Sequence, residues 1–236
     1  MEGTRAVQQV IANQQIEIQT LFFDESQQYW NKSDWKKVTG KMEVATLSRD
    51  LFVEVSDTDT PQGVLALCEM PSETTAEELA AQSGLIIALD GLQDPGNLGT
   101  IIRTAGWFGI SGIILGKGTV DMFHPKVVRG TAGATGTIPF INAELSAIFK
   151  TLEHENWQVL LLDSGSQSQP LQNICSTEKV VIVVGNEGHG IRKELMAENR
   201  SRIKITSPRN RKHVESLNAA IAASITLYDL SGKSKI

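Results

Sequence analysis

Polar side chains that could do chemistry are concentrated at one joint of the chain, between an apolar run and a predicted helix. The apolar run Leu85–Leu89 is followed by a loop with Pro95 and Gly96, and then by the predicted helix Leu98–Phe108. Open α/β sheets bind their ligands where strands end and feed helices. The joint is therefore a candidate binding or catalytic site, and its polar residues are Asp90, Gln93, Asp94, Asn97 and Arg103.

Arg103 is a permanent cation on an otherwise apolar helix of small residues. Asn97 is predicted to cap this helix, which places Arg103 near its start, where the helix dipole disfavours positive charge. A capped helix with a surface arginine explains the pattern. A functional arginine that holds a phosphate is the alternative, and the unfavourable position in the dipole favours it slightly.

A second candidate is the glycine-spaced loop after the apolar run Val180–Val184. The segment Val181–Gly190, VIVVGNEGHG, has glycines at 185, 188 and 190, so it is neither GxGxxG nor a P-loop. Glycines let a main chain approach a flat ligand closely. Glu187 would repel a pyrophosphate but could accept from hydroxyls, an amino group or a neighbouring arginine. A plain strand-to-helix turn remains the alternative.

A third candidate is Glu215–Leu230, ESLNAAIAASITLYDL, a helix crowded with small residues. Ser216 and Asn218 at its start are caps by default, and the small residues predict close packing against another helix. A basic, irregular loop, Ser207–His213, precedes it.

A weaker element is His124–Gly136, HPKVVRGTAGATG, in which Lys126 and Arg129 share a helix face. Phosphate contact and simple surface exposure explain these two cations equally well.

The charge distribution leaves nucleic acid open as a partner, although the formal net charge is −5. Residues 1–80 hold 6 basic and 14 acidic residues, whereas residues 81–236 hold 16 and 13. Eight basic residues lie within Arg192–Lys212 against two acids. Local field matters more than total charge, so a phosphate-binding patch and a solvated helix face are both compatible with this cluster.

Other function classes are disfavoured by what the sequence lacks. Every apolar run is far shorter than the roughly 18–20 residues of a membrane span, and the N-terminus has no signal-peptide core. Cys68 and Cys175 show no metal or redox spacing, and the four histidines show none either. We therefore expect a cytoplasmic protein without membrane or metal partners.

The pattern predicts two units, 1–80 and 81–236, separated near the acidic, polar segment Pro71–Ser83, a linker or short surface helix. The first is expected to be a small α/β module with a helix at Thr4–Asn13 and extended pieces at Ile18–Phe23, Glu43–Thr46 and Val64–Glu69. The second alternates strands and helices, which predicts a parallel sheet with helices on both faces. Its strands are expected at Leu85–Leu89, Gly112–Leu115, Thr137–Ile141, Gln158–Leu162, Val180–Val184 and Arg202–Ile205. Its helices are expected at Leu98–Phe108, Pro125–Ala132, Leu145–Glu155, Ile191–Met196 and Leu217–Leu230.

Taken together, three motifs make residues 83–232 resemble the SpoU, or TrmH-like, branch of the SPOUT RNA methyltransferases. They are NLGTIIRTA from Asn97, VGNEGHG from Val184 and VESLNAAIA from Val214, in that family's order. Residues 1–80, with EGTRAV and SDTDTPQGVLAL, look like the small RNA-binding domain that often precedes the catalytic one. The match begins abruptly at Met1, without the usual preceding helix and strand, so this domain is expected to be short or incomplete at that end.

The resemblance implies an α/β fold whose C-terminal segment forms a trefoil knot, an exception to the usual rule against knots. It implies S-adenosylmethionine as cofactor, an RNA substrate that is ribosomal or transfer RNA, and a homodimer with no metal. It also implies that the cofactor lies against Gly185, Asn186, Glu187, Ile205 and Leu217.

By the same resemblance, Arg103 would bind the RNA phosphate, orient a ribose 2′-hydroxyl and help to draw off its proton. Asn97 would orient Arg103, and Glu187, Ser216 and Asn218 would shape the pocket. The loop Thr206–His213, TSPRNRKH, departs from the family pattern because it is longer and strongly basic. We expect RNA contacts from Lys126 and Arg129 and from that loop, through Arg209, Arg211 and Lys212.

The leading hypothesis is thus S-adenosylmethionine-dependent methylation of a ribose 2′-hydroxyl, in rRNA rather than tRNA. The alternative is an RNA-binding relative that has lost catalysis, which the presence of Asn97, Arg103, Glu187, Ser216 and Asn218 disfavours. A nicotinamide-dependent oxidoreductase is disfavoured because no GxGxxG follows any predicted strand.

Overall fold

The computed structural model describes residues 1–27, 35, 42–175, 177–196, 200–207 and 216–233. Its N-terminal part is a three-stranded sheet of order β2-β1-β3, in which β1 pairs parallel with β2 and antiparallel with β3. The elements are α1 (Thr4–Asn13), β1 (Ile18–Asp24), β2 (Glu43–Leu47), α2 (Arg49–Val55) and β3 (Val64–Cys68). The predicted helix and all three predicted extended segments are confirmed.

The helix α2 was not predicted from the sequence. Its residues RDLFVEV are mostly β-branched or bulky, a composition typical of strands. The helix forms because Ser48 caps it, with Oγ accepting from Leu51 N, and because Phe52 is fully buried. Val7, Leu21, Phe23 and Val64 belong to the core of the three-stranded sheet.

The C-terminal part is a seven-stranded sheet of order β6-β5-β4-β9-β7-β10-β8, and its strand pairs are parallel. The predicted strands are confirmed, with ends that shift by up to three residues. The central strands contain the runs Leu85–Leu89 and Val180–Val184, which are buried on both faces. The strands are β4 (Gly84–Asp90), β5 (Gly112–Leu115), β6 (Phe140–Asn142), β7 (Gln158–Leu162), β8 (Gln169–Pro170), β9 (Lys179–Gly185) and β10 (Ser201–Lys204).

Helices cover both faces of this sheet, as predicted. Leu85, Ile87 and Leu89 face one core, which the helices α4, α5 and α7 close, whereas Ile86 and Ala88 face a second core closed by α3 and α6. The helices are α3 (Ala76–Ala80), α4 (Pro95–Phe108), α5 (Pro125–Gly130), α6 (Leu145–His154) and α7 (Ala219–Ser231).

The helix predicted at Ile191–Met196 is wrong: that stretch holds only a single 3-10 turn, Lys193–Leu195. Arg192 is extended and gives its main-chain N–H to the carboxylate of Asp90, 2.8 Å away. Arg192 has ψ 140°, outside the helical region, so a helix cannot begin before residue 193. The trefoil knot stays a prediction.

The strand order puts a switch point between β4 and β9. From β4 the chain continues to β5 on one side, and from β9 it continues to β10 on the other. Parallel sheets hold ligands at the carboxyl ends of such strands. The loops after Asp90 and after Gly185 meet there. Among the described residues, no helix is long and apolar enough to cross a membrane.

Candidate active site

The helix α4 starts earlier than the sequence predicts, and this frees Asn97. Asp94 is the N-cap, with Oδ1 accepting from Asn97 N at 2.7 Å, and Pro95 occupies the first turn. The predicted cap at Asn97 is therefore wrong. Because Asp94 caps the helix, the side-chain amide of Asn97 is not needed as a cap and is available for other partners.

A chain of hydrogen bonds through Asn97 joins the three sequence motifs. Asn97 Nδ2 donates to Glu187 Oε1 at 3.0 Å, and Asn97 Oδ1 accepts from Asn218 Nδ2 at 2.8 Å. Asn218 Oδ1 in turn caps α7, accepting from Ala220 N at 2.9 Å and Ile221 N at 3.2 Å. The predicted cap at Asn218 is confirmed, and residues some 90 and 121 positions from Asn97 meet at one point.

Glu187 holds the loop after β4 against the loop after β9. Its carboxylate accepts from the main-chain N–H groups of Gln93 at 3.3 Å and Asp94 at 3.2 Å, besides the Asn97 amide. Partial burial acts to raise the pKa of Glu187, but the hydrogen bonds from Asn97, Gln93 and Asp94 outweigh it, so the pKa lies below its ordinary value. Its partners are amides rather than the hydroxyl, amino group or arginine considered from the sequence.

The glycine loop is closed on itself. Asn186 and Gly190 exchange main-chain hydrogen bonds at 3.1 and 2.9 Å, and Asn186 Nδ2 donates to the carbonyl of Gly91 at 2.7 Å. A Cβ on Gly185 would lie 2.3 Å from Gly190 C and 2.5 Å from Ile191 N. Only glycine fits at 185, and the loop is thereby fixed in shape.

Arg192 and Asp90 form a second tie between the same two loops, which sequence reasoning missed. Arg192 Nε donates to Asp90 Oδ1 at 2.7 Å, and the Asp90 side chain is 1% exposed. Desolvation acts to lower the pKa of Arg192, but the hydrogen bond and charge of Asp90 outweigh it and raise that pKa. The partners are 102 residues apart, so no local signal pairs them.

Arg103 lies in the middle of α4 and not near its start, as the ninth of fourteen residues. Its exposed guanidinium has no hydrogen bond or ion pair with any described residue. It shares an exposed stripe of α4 with Thr100 and Trp107. No hydrogen bond between Arg103 and Asn97 is seen among the described residues, because the amide of Asn97 is engaged by Glu187 and Asn218.

The remaining predicted cofactor and pocket residues are grouped around the same edge. Ile205 directly follows β10 and is half-buried against the sheet core. Ser216 and Leu217 are exposed and immediately precede the cap Asn218.

The predicted RNA contacts divide into three cases. Lys126 is exposed at the start of α5. Arg129 forms an ion pair with Asp57 of the N-terminal part. Arg209, Arg211 and Lys212 lie outside the described residues. No group of three potential metal ligands occurs in the described part of the chain.

The fold and site define an α/β protein with a ligand-binding edge built from three distant motifs, and with an exposed arginine on α4 that has no ion pair with a described residue. Residues 84–228 match the family model "SpoU rRNA Methylase family", and residues 1–66 match "MRM3-like substrate binding domain". The chain belongs to the SpoU rRNA methylase family, as its motifs indicated.

Relatives in sequence carry rRNA and tRNA methyltransferase names. The chain is 37% identical to the 23S rRNA (guanosine(2553)-2′-O)-methyltransferase RlmP of Bacillus subtilis over 79% of this chain and 71% of that protein. It is 31% identical to the 23S rRNA (guanosine-2′-O-)-methyltransferase RlmB of Coxiella burnetii over 80% and 76%.

Solved structures match both parts of the chain. An AdoMet-bound rRNA methyltransferase from Sinorhizobium meliloti has a TM-score of 0.84 at 28% identity, over 100% of this chain and 87% of that one. A TrmH-family protein from Porphyromonas gingivalis has a TM-score of 0.80 at 30% identity, over 98% and 88%. The parallel-sheet fold predicted from the sequence is confirmed.

Proposed function

We propose that this chain transfers a methyl group from S-adenosylmethionine to the 2′-hydroxyl of a guanosine ribose in 23S rRNA. The observation that carries the proposal is the hydrogen-bond chain Glu187–Asn97–Asn218, which brings three motifs together on the helix of Arg103, an arginine that pairs with no described residue. The two 23S rRNA methyltransferases named above support the substrate class. Such a substrate places the reaction in the cytoplasm.

The residues at the switch point fit the cofactor. Gly185 and Asn186 would hold its adenosine together with the main chain at Ile205 and Leu217, because the loop is closed in a fixed shape and its glycines let a flat ligand approach the main chain closely. Space beside the loop supports this, since a Cβ on Gly190 would meet nothing within 4 Å. When bound, the cofactor supplies a methyl group on a positively charged sulfur, which a hydroxyl oxygen can attack.

Arg103 supplies what a ribose hydroxyl lacks as a nucleophile. A 2′-hydroxyl has a very high pKa and must lose its proton as it attacks. The guanidinium of Arg103 would bind the adjacent phosphate and orient the hydroxyl, and its charge would stabilise negative charge developing on O2′. Arginine is a poor base in water, so positioning and electrostatics are its main contribution.

The contacts around α4 hold the helix in place but leave the guanidinium of Arg103 available to a ligand. Glu187, Asn97 and Asn218 satisfy one another and fix the start of α4 relative to α7. Ser224 Oγ, on α7, lies 3.3 Å from Thr104 Oγ1, on α4. These contacts hold the helix that carries Arg103 without occupying its guanidinium, which is the preorganisation that catalysis requires.

The homodimer is also part of this proposal. An apolar stripe of Leu217, Ile221, Ile225 and Tyr228 runs along α7, with exposures of 48%, 50%, 38% and 72%. Trp107 on the adjacent α4 is 85% exposed. A contiguous apolar surface of this kind marks a protein interface, and a second copy of the chain covering it would lie next to Arg103.

A methylation assay tests the proposal. Purified protein, radiolabelled S-adenosylmethionine and 23S rRNA transcribed without modifications should give one labelled nucleotide. It should map as a 2′-O-methylguanosine, because the phosphodiester bond that follows it resists alkaline hydrolysis. Label in tRNA but not in 23S rRNA would contradict the substrate, and RNA binding without transfer would establish the non-catalytic alternative.

A further inference from the structure

The N-terminal part packs against a glycine-rich segment of the catalytic domain, residues 127–137. Asn13 Nδ2, at the end of α1, donates to Gly133 O at 2.9 Å. Gly133 has φ +94°, and a Cβ there would lie 2.5 Å from Gln9 Cβ. Gly136 has φ +76°, and a Cβ there would lie 2.6 Å from Ile16 Cγ1. At both positions only glycine allows the two parts to approach so closely.

An ion pair adds to this contact. Arg129 donates to Asp57, which lies in the loop after α2. That loop is itself fixed by the buried carboxylate of Glu2, which accepts from Ser56 Oγ at 2.5 Å and from Asp57 N at 3.1 Å. Arg129 thus contacts a residue on a loop that is held by hydrogen bonds. Its charge is neutralised by Asp57 in an ion pair that joins the two parts of the chain.

The opposite side of segment 127–137 packs against the helix that carries Arg103. A Cβ on Gly99 would lie 2.8 Å from Val127 O, and one on Gly106 would lie 3.4 Å from Ala134 Cβ. Arg103 stands between these two contact points on α4. The segment is stiffened internally by the buried hydroxyls of Thr131 and Thr135, 2.8 Å apart.

The linker holds the N-terminal part at a second point. Glu73 accepts from Asn142 N at 3.0 Å and from Asn142 Nδ2 at 2.7 Å, and Thr74 N donates to Phe140 O at 2.9 Å. Two attachment points restrict both translation and rotation. The TM-score of 0.84 over the whole chain with the Sinorhizobium meliloti structure agrees with a shared placement of the two parts.

We propose that segment 127–137 is a docking platform that holds the substrate-binding domain at a set distance from Arg103, and that this distance selects the nucleotide to be methylated. The inference rests on the proposed function. An RNA feature bound by the N-terminal domain then places one ribose at Arg103 and leaves its neighbours out of reach. A rigid, two-point grip loses less entropy on binding than a tethered domain would. Arg129 is accordingly a positioning residue rather than an RNA contact.

The substitution Asp57→Asn separates these two roles of Arg129. If Arg129 positions the domain, Asp57→Asn and Arg129→Ala should each lower kcat/KM for a 23S rRNA fragment, by about tenfold for a displacement of an ångström or less. The double variant should fall no further, and the Kd for S-adenosylmethionine should stay unchanged in calorimetry. Asp59→Asn, which removes the same charge from the same loop and breaks no ion pair with a described residue, is the matched control.

Opposite results overturn the proposal. Tighter RNA binding by Asp57→Asn would show that Asp57 masks an RNA-binding arginine. Additive losses in the double variant would show that Asp57 and Arg129 act separately.

Gly133→Ala tests the platform independently of the ion pair. The added methyl group should push α1 away, which small-angle scattering detects as a larger radius of gyration, and methyl groups should appear at nucleotides beside the target. Gly109→Ala, also at positive φ (+61°) but with nothing within 4 Å of its Cβ, controls for backbone strain. A displaced domain with unchanged site selection would refute the distance mechanism. Absence of methyl transfer by the wild type would instead refute the proposed function, whereas the scattering result would still report on docking.

Discussion

At the residue scale, the site separates side chains that build the structure from one that is left free. Asn97, Glu187 and Asn218 are fully engaged with each other and with main-chain groups. Arg192 and Arg200 are held by Asp90 and Glu153. Arg103 has no such partner among the described residues, although its helix is tightly supported. A free cation on a rigid support is suited to binding a phosphate.

Replacing Arg103 should therefore lower activity strongly without disturbing the fold. We expect Arg103→Ala to lower kcat by about 10²- to 10³-fold, the usual effect of removing one preorganised charge, and to leave the Kd for S-adenosylmethionine unchanged. Single-turnover methylation and calorimetry measure the two quantities. Arg103→Lys should recover part of the rate, and Lys150→Ala, an exposed cation on α6, should have no effect. Full activity of Arg103→Ala would contradict the proposed mechanism.

Glu187 gives a pH-dependent contribution to stability. Its folded-state pKa is lowered, so the carboxylate stabilises the fold above the unfolded-state pKa of about 4.3, and this contribution is lost as the pH falls through the folded-state pKa. Glu187→Gln should be less stable than the wild type at pH 7, and the difference should shrink below about pH 4. Urea unfolding at both pH values measures it, with Glu155→Gln as a control. A difference that does not change with pH would contradict the assignment.

At the element scale, the strands were predictable and the ends of the helices were less so. Leu85–Leu89 and Val180–Val184 are unbroken apolar runs, and such runs are typical of central parallel strands. The cap of α4 was placed three residues too late, because Asp94 and Asn97 are both good caps and Pro95 decides between them. The stretch Ile191–Met196 was predicted as a helix and is not one, because Arg192, which is bound to Asp90 102 residues away, has ψ 140°, outside the helical region.

The glycine loop is the element on which cofactor binding depends. Gly185→Ala would place a methyl group within 2.3–2.6 Å of main-chain atoms of Gly190 and Ile191, so the loop must open. We expect S-adenosylmethionine binding to weaken by tenfold or more, which corresponds to about 1.4 kcal/mol. Calorimetry measures it. Gly232→Ala, whose Cβ would meet nothing closer than 3.7 Å, should bind normally, and equal affinity in the two variants would show that the loop does not hold the cofactor.

At the scale of the whole molecule, α7 has two apolar faces and one of them is uncovered. Ala220, Ala223, Leu227 and Leu230 are buried against the sheet core, whereas the opposite stripe with Ile225 and Tyr228 is exposed. The sequence predicted helix packing from the small residues, and this is confirmed by the contact with α4. The uncovered stripe is the basis for the proposed homodimer.

Charges placed on that stripe should separate the two copies. We expect the double variant Ile225→Glu/Tyr228→Glu to sediment as a monomer in analytical ultracentrifugation and to lose methyl transfer, since the interface lies beside Arg103. Val55→Glu, at a residue 58% exposed on α2, should leave the mass unchanged. A wild-type protein that sediments as a monomer would contradict the dimer.

The sequence by itself determined the alternation of strands and helices, the three motifs and the family to which they belong, because these depend on local periodicity and on short runs of residues. Only the tertiary structure decided the partners: Glu187 with Asn97, Asn97 with Asn218, Arg192 with Asp90 and Arg129 with Asp57. Each pair is separated by 72 to 121 residues. Hydrogen bonds and ion pairs act over a few ångströms, so such pairings depend on how the sheet brings its strand ends together.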